Sequence, residues 1–254
     1  MTNVLTISGH GSGTGRSVIA LNLATSLAVY EKRTLLIDCD PHGVISAWAG
    51  MDDSHPAQDL SSVMSGRTRL GDAAAKTEFN FLDVVPAGPK LAKQSQRLSR
   101  QWANEKLLRL LIEESQEIGY EYIIIDAPLS DRFLTLSAMT AADWLICPVH
   151  PRSSTRGDLL KLFSDIRYVR GTHQVSLGIA GFLFNQCEGP EDIDTFVREK
   201  GVGDIESLIC RTHIPTDPLV DDALEQNIPL VLSDIKSPSA SAFLHVAQEI
   251  DLKF

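Results

Sequence analysis

Seven short apolar runs, at residues 4–7, 34–37, 81–85, 122–125, 144–147, 179–184 and 208–210, punctuate the chain. Several are apolar at consecutive positions rather than at alternate ones. A strand of that kind has no face for water and must be covered on both sides. Longer stretches with helical periodicity lie between them, at 17–30, 102–118, 155–169, 191–200, 219–226 and 240–250. Alternating strands and helices predict an α/β fold, a mostly parallel sheet with helices on both faces. No repeat, low-complexity tract or long linker interrupts the pattern, so one domain over residues 1–254 is expected. The polar segment 50–77 has weak periodicity and is expected to be a mobile or helical insertion.

Bulk properties narrow the function classes. The chain is 43% hydrophobic, enough for a buried core, and carries a formal net charge of -10. An acidic total argues against a surface built to coat nucleic acid. No apolar stretch approaches the roughly 20 residues of a membrane span, and no charged leader with an apolar run and cleavage site opens the chain. Cys39, Cys147, Cys187 and Cys210 form no CxxC pair, which disfavours a zinc ribbon or disulfide framework. A reducing, cytoplasmic setting is expected.

The first run leads into "GHGSGTGRS" and then an apolar helix. A glycine-rich loop between a strand and a helix aims backbone N–H groups at one point, where phosphate oxygens bind. The pattern G-x-x-x-x-G-K-[ST] is met in part. Gly15 and Ser17 match, His10 replaces the first glycine, and Arg16 replaces the lysine. Arginine keeps the positive charge but not the position of a compact ammonium. No register gives the dinucleotide fingerprint G-x-G-x-x-G. Taken alone, the loop is also compatible with a ligand-free turn.

Two acidic motifs end apolar runs: "LLIDCDPHG", with Asp38 and Asp40, and "YIIIDAP", with Asp126. In a parallel sheet the C-terminal strand ends face the ligand crevice, so both converge on the glycine loop. Asp126 has the setting of a Walker B aspartate, which holds Mg²⁺ alongside the Ser17 hydroxyl. Asp40 would stand near the γ-phosphate, where a carboxylate can orient or deprotonate water. Strand-end aspartates also serve as ordinary turn caps, and Asp-Pro favours that role.

Together these segments resemble the ParA/MinD family of deviant Walker ATPases, which position plasmids, chromosomes, division sites and other cargo. "TLLIDCDPHGVISAW" is similar to the family's switch I, and "YEYIIIDAPLSDRFLTLSAMTAADWLICPVHP" to its Walker B and switch II with the following helix and strand. "FLDVVPAG", "GIAGFLFNQ" and "HIPTDPLVDDALEQNIPLV" resemble the middle strand, the adenine-reading strand and the late IP-x-D segment. The resemblance implies a P-loop NTPase architecture of the SIMIBI type, with ATP or ADP and Mg²⁺ as ligands. It places Gly11, Ser12, Gly13, Thr14, Gly15, Arg16, Ser17 and Val18 around the phosphates. Ser17, Asp38 and Asp126 fall at the metal, and Asp40 and Arg16 at the reacting phosphate. Asn185 falls at the base, with Pro215 and Asp217 beside it; a strand-end Asn is equally a turn residue.

The family's loop is K-G-G-x-G-K-[ST], and here both lysines are absent, at Gly11 and Arg16. The first reaches across an ATP-bound dimer in the family, and losing such charge slows phosphoryl transfer by orders of magnitude. Slow or atypical hydrolysis is therefore expected, with Arg16, Arg132, Arg152 and Arg156 as candidate substitutes. The resemblance implies an ATP-dependent homodimer and an unidentified protein partner. Arg152, Arg156, Lys161, Arg167, Arg170, Arg198 and Lys200 could touch DNA non-specifically, but such spread charges usually form a solvated face. Residues 240–250 continue the core pattern with no basic amphipathic tail after them, which disfavours direct membrane binding. The first run starts within a few residues of Met1, so no N-terminal DNA-reading extension is expected. A hydrolysis-deficient nucleotide-binding scaffold is the alternative. A metabolic ATPase on the same fold is weaker, because no substrate-specific constellation is visible.

Overall fold

A computed structural model describes residues 2–49, 58–100, 104–115 and 119–254. Its strands are β1 Asn3–Ile7, β2 Thr34–Asp38, β3 Ala75–Lys76, β4 Leu82–Val85, β5 Tyr122–Asp126, β6 Trp144–Val149, β7 Gly178–Cys187 and β8 Ile214–Pro215. Its helices are α1 Arg16–Val29, α2 Val44–Trp48, α3 Leu60–Met64, α4 Leu70–Ala73, α5 Leu91–Leu98, α6 Leu107–Glu113, α7 Arg132–Ala141, α8 Arg156–His173, α9 Pro190–Lys200, α10 Leu219–Glu225, α11 Leu230–Ser233 and α12 Pro238–Asp251. The strands form one sheet in the order β3-β4-β2-β5-β1-β6-β7-β8. Every neighbouring pair is parallel except β3 with β4 at the edge.

The doubly apolar strands are explained by the two core layers. In β5, Ile123 and Ile125 pack into the layer that holds Leu134, Ala138 and Ile166 of α7 and α8. Tyr122 and Ile124 face the opposite layer, with Ile19 and Leu23 of α1 and Phe243 of α12. β2 divides in the same way, Leu35 and Ile37 to one side and Leu36 to the other. Helices therefore cover both faces, as the alternation predicts. Among the described residues no helix is long and apolar enough to cross a membrane.

The differences from expectation are local. The run 208–210 is not a strand. A 3₁₀ turn, Glu206–Leu208, leads into a single bridge between Ile209 and Phe182, and β8 forms the edge instead. Within 102–118 the chain makes a 3₁₀ turn, Asn104–Lys106, and then α6; residues 102, 103 and 116–118 lie outside the described residues. Of the expected insertion, 50–57 also lies outside them, and the remainder holds α3, α4 and β3. Helices α2, α5 and α11 span only four to eight residues, too short to give a periodic signal.

Register carries the fold to the site. Ile7, Asp38 and Asp126 lie opposite one another as the last residues of β1, β2 and β5. The backbone locks these ends together, with Cys39 N donating to Asp126 O at 3.1 Å and Ala127 N to Ile7 O at 3.2 Å.

Candidate functional site

The loop after β1 turns through three glycines with positive φ, Gly11 at 101°, Gly13 at 71° and Gly15 at 79°. Left-handed backbone of this kind excludes most L side chains and turns successive N–H groups inward. Gly15 is constrained twice, because a Cβ there would run into the Asn185 side-chain amide. It is also the N-cap of α1, whose first turn has no side-chain cap and no acidic residue. The first N–H groups of α1 are thus left to an external acceptor. Ser12 and Gly13 are exposed at the mouth of the loop, whereas Thr14 is buried and Ser17 and Val18 are half-buried.

Arg16 folds back across its own loop. Its Nη1 donates to Gly9 O at 3.2 Å, Gly11 O at 2.9 Å and Thr14 Oγ1 at 3.3 Å. All three bonds use one nitrogen, which leaves Nε and Nη2 able to donate to a phosphate. Burial pulls the guanidinium pKa down, and the charges of Asp126 and Asp40 oppose it.

The strand-end carboxylates are the electrostatic centre. Asp38 and Asp126 are both essentially inaccessible to solvent. Asp38 Oδ1 accepts from Asp40 N at 2.9 Å. Asp38 Oδ2 and both oxygens of Asp126 have no hydrogen-bond partner. Burial pushes the Asp126 pKa up to about 7; the facing Ser17 hydroxyl and Arg16 oppose the rise, and Asp40 adds to it. Ser17 exerts this influence without a hydrogen bond of ordinary geometry to either oxygen. Burial, and then the charge of Asp126, raise Asp38 well above the carboxylate range. Three buried, unpartnered carboxylate oxygens beside a serine hydroxyl are what a small hard cation would satisfy. Among the described residues no group of three or more His, Cys, Asp or Glu forms a closed cation cage. The donors fit a cation that takes its other oxygens from water and a phosphate ligand.

Asp40 sits at the same edge and is one-fifth exposed. Its Oδ1 accepts from His42 N at 3.0 Å and from the His42 ring Nδ1 at 2.7 Å. His42 was not singled out by the sequence, although its spacing of two from an Asp in a turn is a local signal for such a bond. Asn185 is buried, and its Nδ2 donates to Thr14 O at 3.0 Å, so its amide nitrogen supports the loop. It lies opposite Ile214, which brings Pro215 alongside. Asp217 accepts from Leu219 N and Ser239 N, each at 3.1 Å, and shapes the turn into α10.

Each candidate auxiliary arginine has a partner outside the glycine loop. Arg152 pairs with Glu188 at 2.6 Å, and Arg156 donates to Gly201 O at 2.9 Å. Arg132 pairs with Asp165 at 2.8 Å. Lys200 donates to the carbonyls of Pro151, Arg152 and Ser154, which ties the loop after β6 to α9.

Comparison with known proteins is consistent with this geometry. A family model described as an AAA domain matches residues 2–179. The chain is 32% identical over 248 residues to the chromosome partitioning protein ParA of Caulobacter vibrioides, covering 97% of this chain and 93% of that protein. Cobyrinic acid a,c-diamide synthase from Mycobacterium smegmatis, solved with ADP and magnesium, superposes with a TM-score of 0.80 at 21% identity, over 98% of this chain and 93% of that one. The septum site-determining protein MinD of Pyrococcus horikoshii, complexed with Mg-ADP, superposes with a TM-score of 0.74 at 24% identity, over 99% and 96% of the two chains.

Proposed function

Because this chain belongs to the ParA/MinD family of P-loop ATPases, we propose that it is a nucleotide-switched positioning or partitioning ATPase that binds Mg·ATP at the ends of β1, β2 and β5. One observation carries the reading: three unpartnered, buried carboxylate oxygens of Asp38 and Asp126 lie beside a glycine loop whose helix N-terminus is uncapped.

In this reading the N–H groups of residues 11–18 cradle the phosphates, and Arg16 donates to them through Nε and Nη2. Ser17, Asp126 and Asp38 hold the metal; when bound, Mg²⁺ neutralises charge on the phosphate oxygens. Asp40 orients the attacking water with Oδ2, its Oδ1 being held by His42. The Oδ1 of Asn185 faces the base, with Pro215 and the Asp217 turn beside it. ATP favours a homodimer, and the dimer engages a partner protein. Non-specific DNA binding is not favoured, because several of the candidate basic residues have partners within the chain.

Turnover is slow in this account. Gly11 supplies no side chain, and a Cβ there would lie 3.4 Å from Asp158 Oδ2 on a backbone with φ of 101°. The loop's remaining cation, Arg16, is tied to loop oxygens, and that observation favours the second reading, a nucleotide-binding scaffold without hydrolysis. ATP and ADP affinities measured beside steady-state phosphate release separate the two. Mg²⁺-dependent binding with slow release supports the ATPase, binding without release supports the scaffold, and no binding overturns both. Single-turnover hydrolysis in Arg16→Ala, Arg132→Ala and Arg156→Ala is expected to fall most for Arg16→Ala. Identical rates in all three would remove these arginines from catalysis.

A further inference from the structure

His10, Arg132 and Asp165 belong to three different elements and meet at one carboxylate. His10 Nε2 lies 2.9 Å from Asp165 Oδ2, and Arg132 Nη1 donates to Asp165 Oδ1 at 2.8 Å. Since an ionised carboxylate only accepts, the imidazole presents Nε2–H to it. Asp165 is 5% exposed and lies in the interior of α8 between apolar turns. An aspartate there is a poor helix former, and its burial is costly unless it is paired. Burial raises its pKa, but the His10 and Arg132 contacts outweigh this and leave the carboxyl below its usual range.

The ends of this bridge matter more than its middle. His10 stands inside the glycine loop, one residue before Gly11. Arg132 is the first residue of α7, six residues after Asp126. Its N-cap, Asp131, is itself anchored, accepting from Leu134 N at 3.0 Å and from Ser95 Oγ at 2.6 Å. A capping box, Thr155 with Asp158, fixes the start of α8. The glycine loop and the segment after β5 are therefore joined through one side chain of α8.

We propose that Asp165 is a positioning residue that fastens the phosphate loop to the segment following β5, so that a change at Arg132 is transmitted to residues 9–15. Its effect on Mg·ATP rests on the nucleotide reading above; the fastening itself does not.

Two measurements test it. In the nucleotide-free chain, amide hydrogen exchange of residues 9–15 is expected to rise about fivefold in Arg132→Ala and in Asp165→Asn. Arg132 is 65% exposed, so the substitution leaves the core intact. In Mg·ATP titrations, His10→Ala and Arg132→Ala should each weaken binding by about fivefold, and together no further, while Arg132→Ala in the Asp165→Asn background should add nothing. Unchanged loop exchange in Arg132→Ala, or additive effects on affinity, would overturn the proposal. A chain that binds no ATP yet loosens its loop in Arg132→Ala would contradict the nucleotide reading and uphold the fastening.

Discussion

At the end of β5, burial holds the Asp126 pKa at about 7, against an unfolded value of about 3.9. The folded chain keeps this proton where the unfolded chain has released it. Stability therefore falls as pH rises from about 4 to about 7, and the penalty is complete above that range. Asp126→Asn removes the charge, so the nucleotide-free variant is expected to be about 1–3 kcal/mol more stable at pH 8. It should lose Mg²⁺-dependent nucleotide binding at the same time. Thermal denaturation at pH 5.5 and pH 8 checks both the sign and the pH slope; a variant less stable than the parent at pH 8 would contradict it. Asp165 works in the opposite direction. Its lowered pKa contributes stability above its unfolded value, and the contribution is lost as pH falls through the folded value. Asp165→Asn is accordingly expected to flatten the acid limb of the same stability profile. At Gly15, a φ of 79° and the adjacent Asn185 amide both oppose a Cβ. Gly15→Ala should cost about 1–3 kcal/mol and abolish nucleotide binding, as read by urea denaturation and titration.

Helix α1 and strand β7 are joined to the loop by Asn185, whose donor satisfies the buried Thr14 carbonyl. Asn185→Ala leaves that carbonyl unpaired and should destabilise the nucleotide-free chain by about 1–2 kcal/mol in urea denaturation. An unchanged midpoint would mean that the amide does not support the loop. At this scale much of the architecture was legible in the sequence. Strands buried on both faces leave apolar runs, and long amphipathic helices leave periodicity. In a parallel sheet the strand order then brings Asp38, Asp126 and the glycine loop to one edge without any knowledge of side-chain contacts. What was not legible depends on partners far apart in the chain. His10 and Asp165 are 155 residues apart, and nothing local to either marks the pair. The folding back of Arg16 onto Gly9 and Gly11 is hidden for a different reason, since the same residue could extend toward a ligand. Short helices such as α2 and α11 gain their order from packing rather than from their own pattern.

Across the whole molecule, the parallel register sets the glycine loop, Asp38 and Asp126 at the same C-terminal strand ends, where a working nucleotide site is proposed despite the loss of both lysines. The proposed ATP-dependent homodimer should appear in sedimentation velocity as a doubling of mass with a non-hydrolysable ATP analogue and Mg²⁺, absent with ADP. The most direct test of the central claim lies upstream of dimerisation and hydrolysis. Calorimetric titration of ATP into the chain, with and without Mg²⁺ and in Ser17→Ala and Asp126→Asn, reads the site itself. Saturable binding that needs Mg²⁺ and is lost in both variants is expected. Absence of binding in the parent chain, or binding indifferent to Mg²⁺ and to both substitutions, would contradict it.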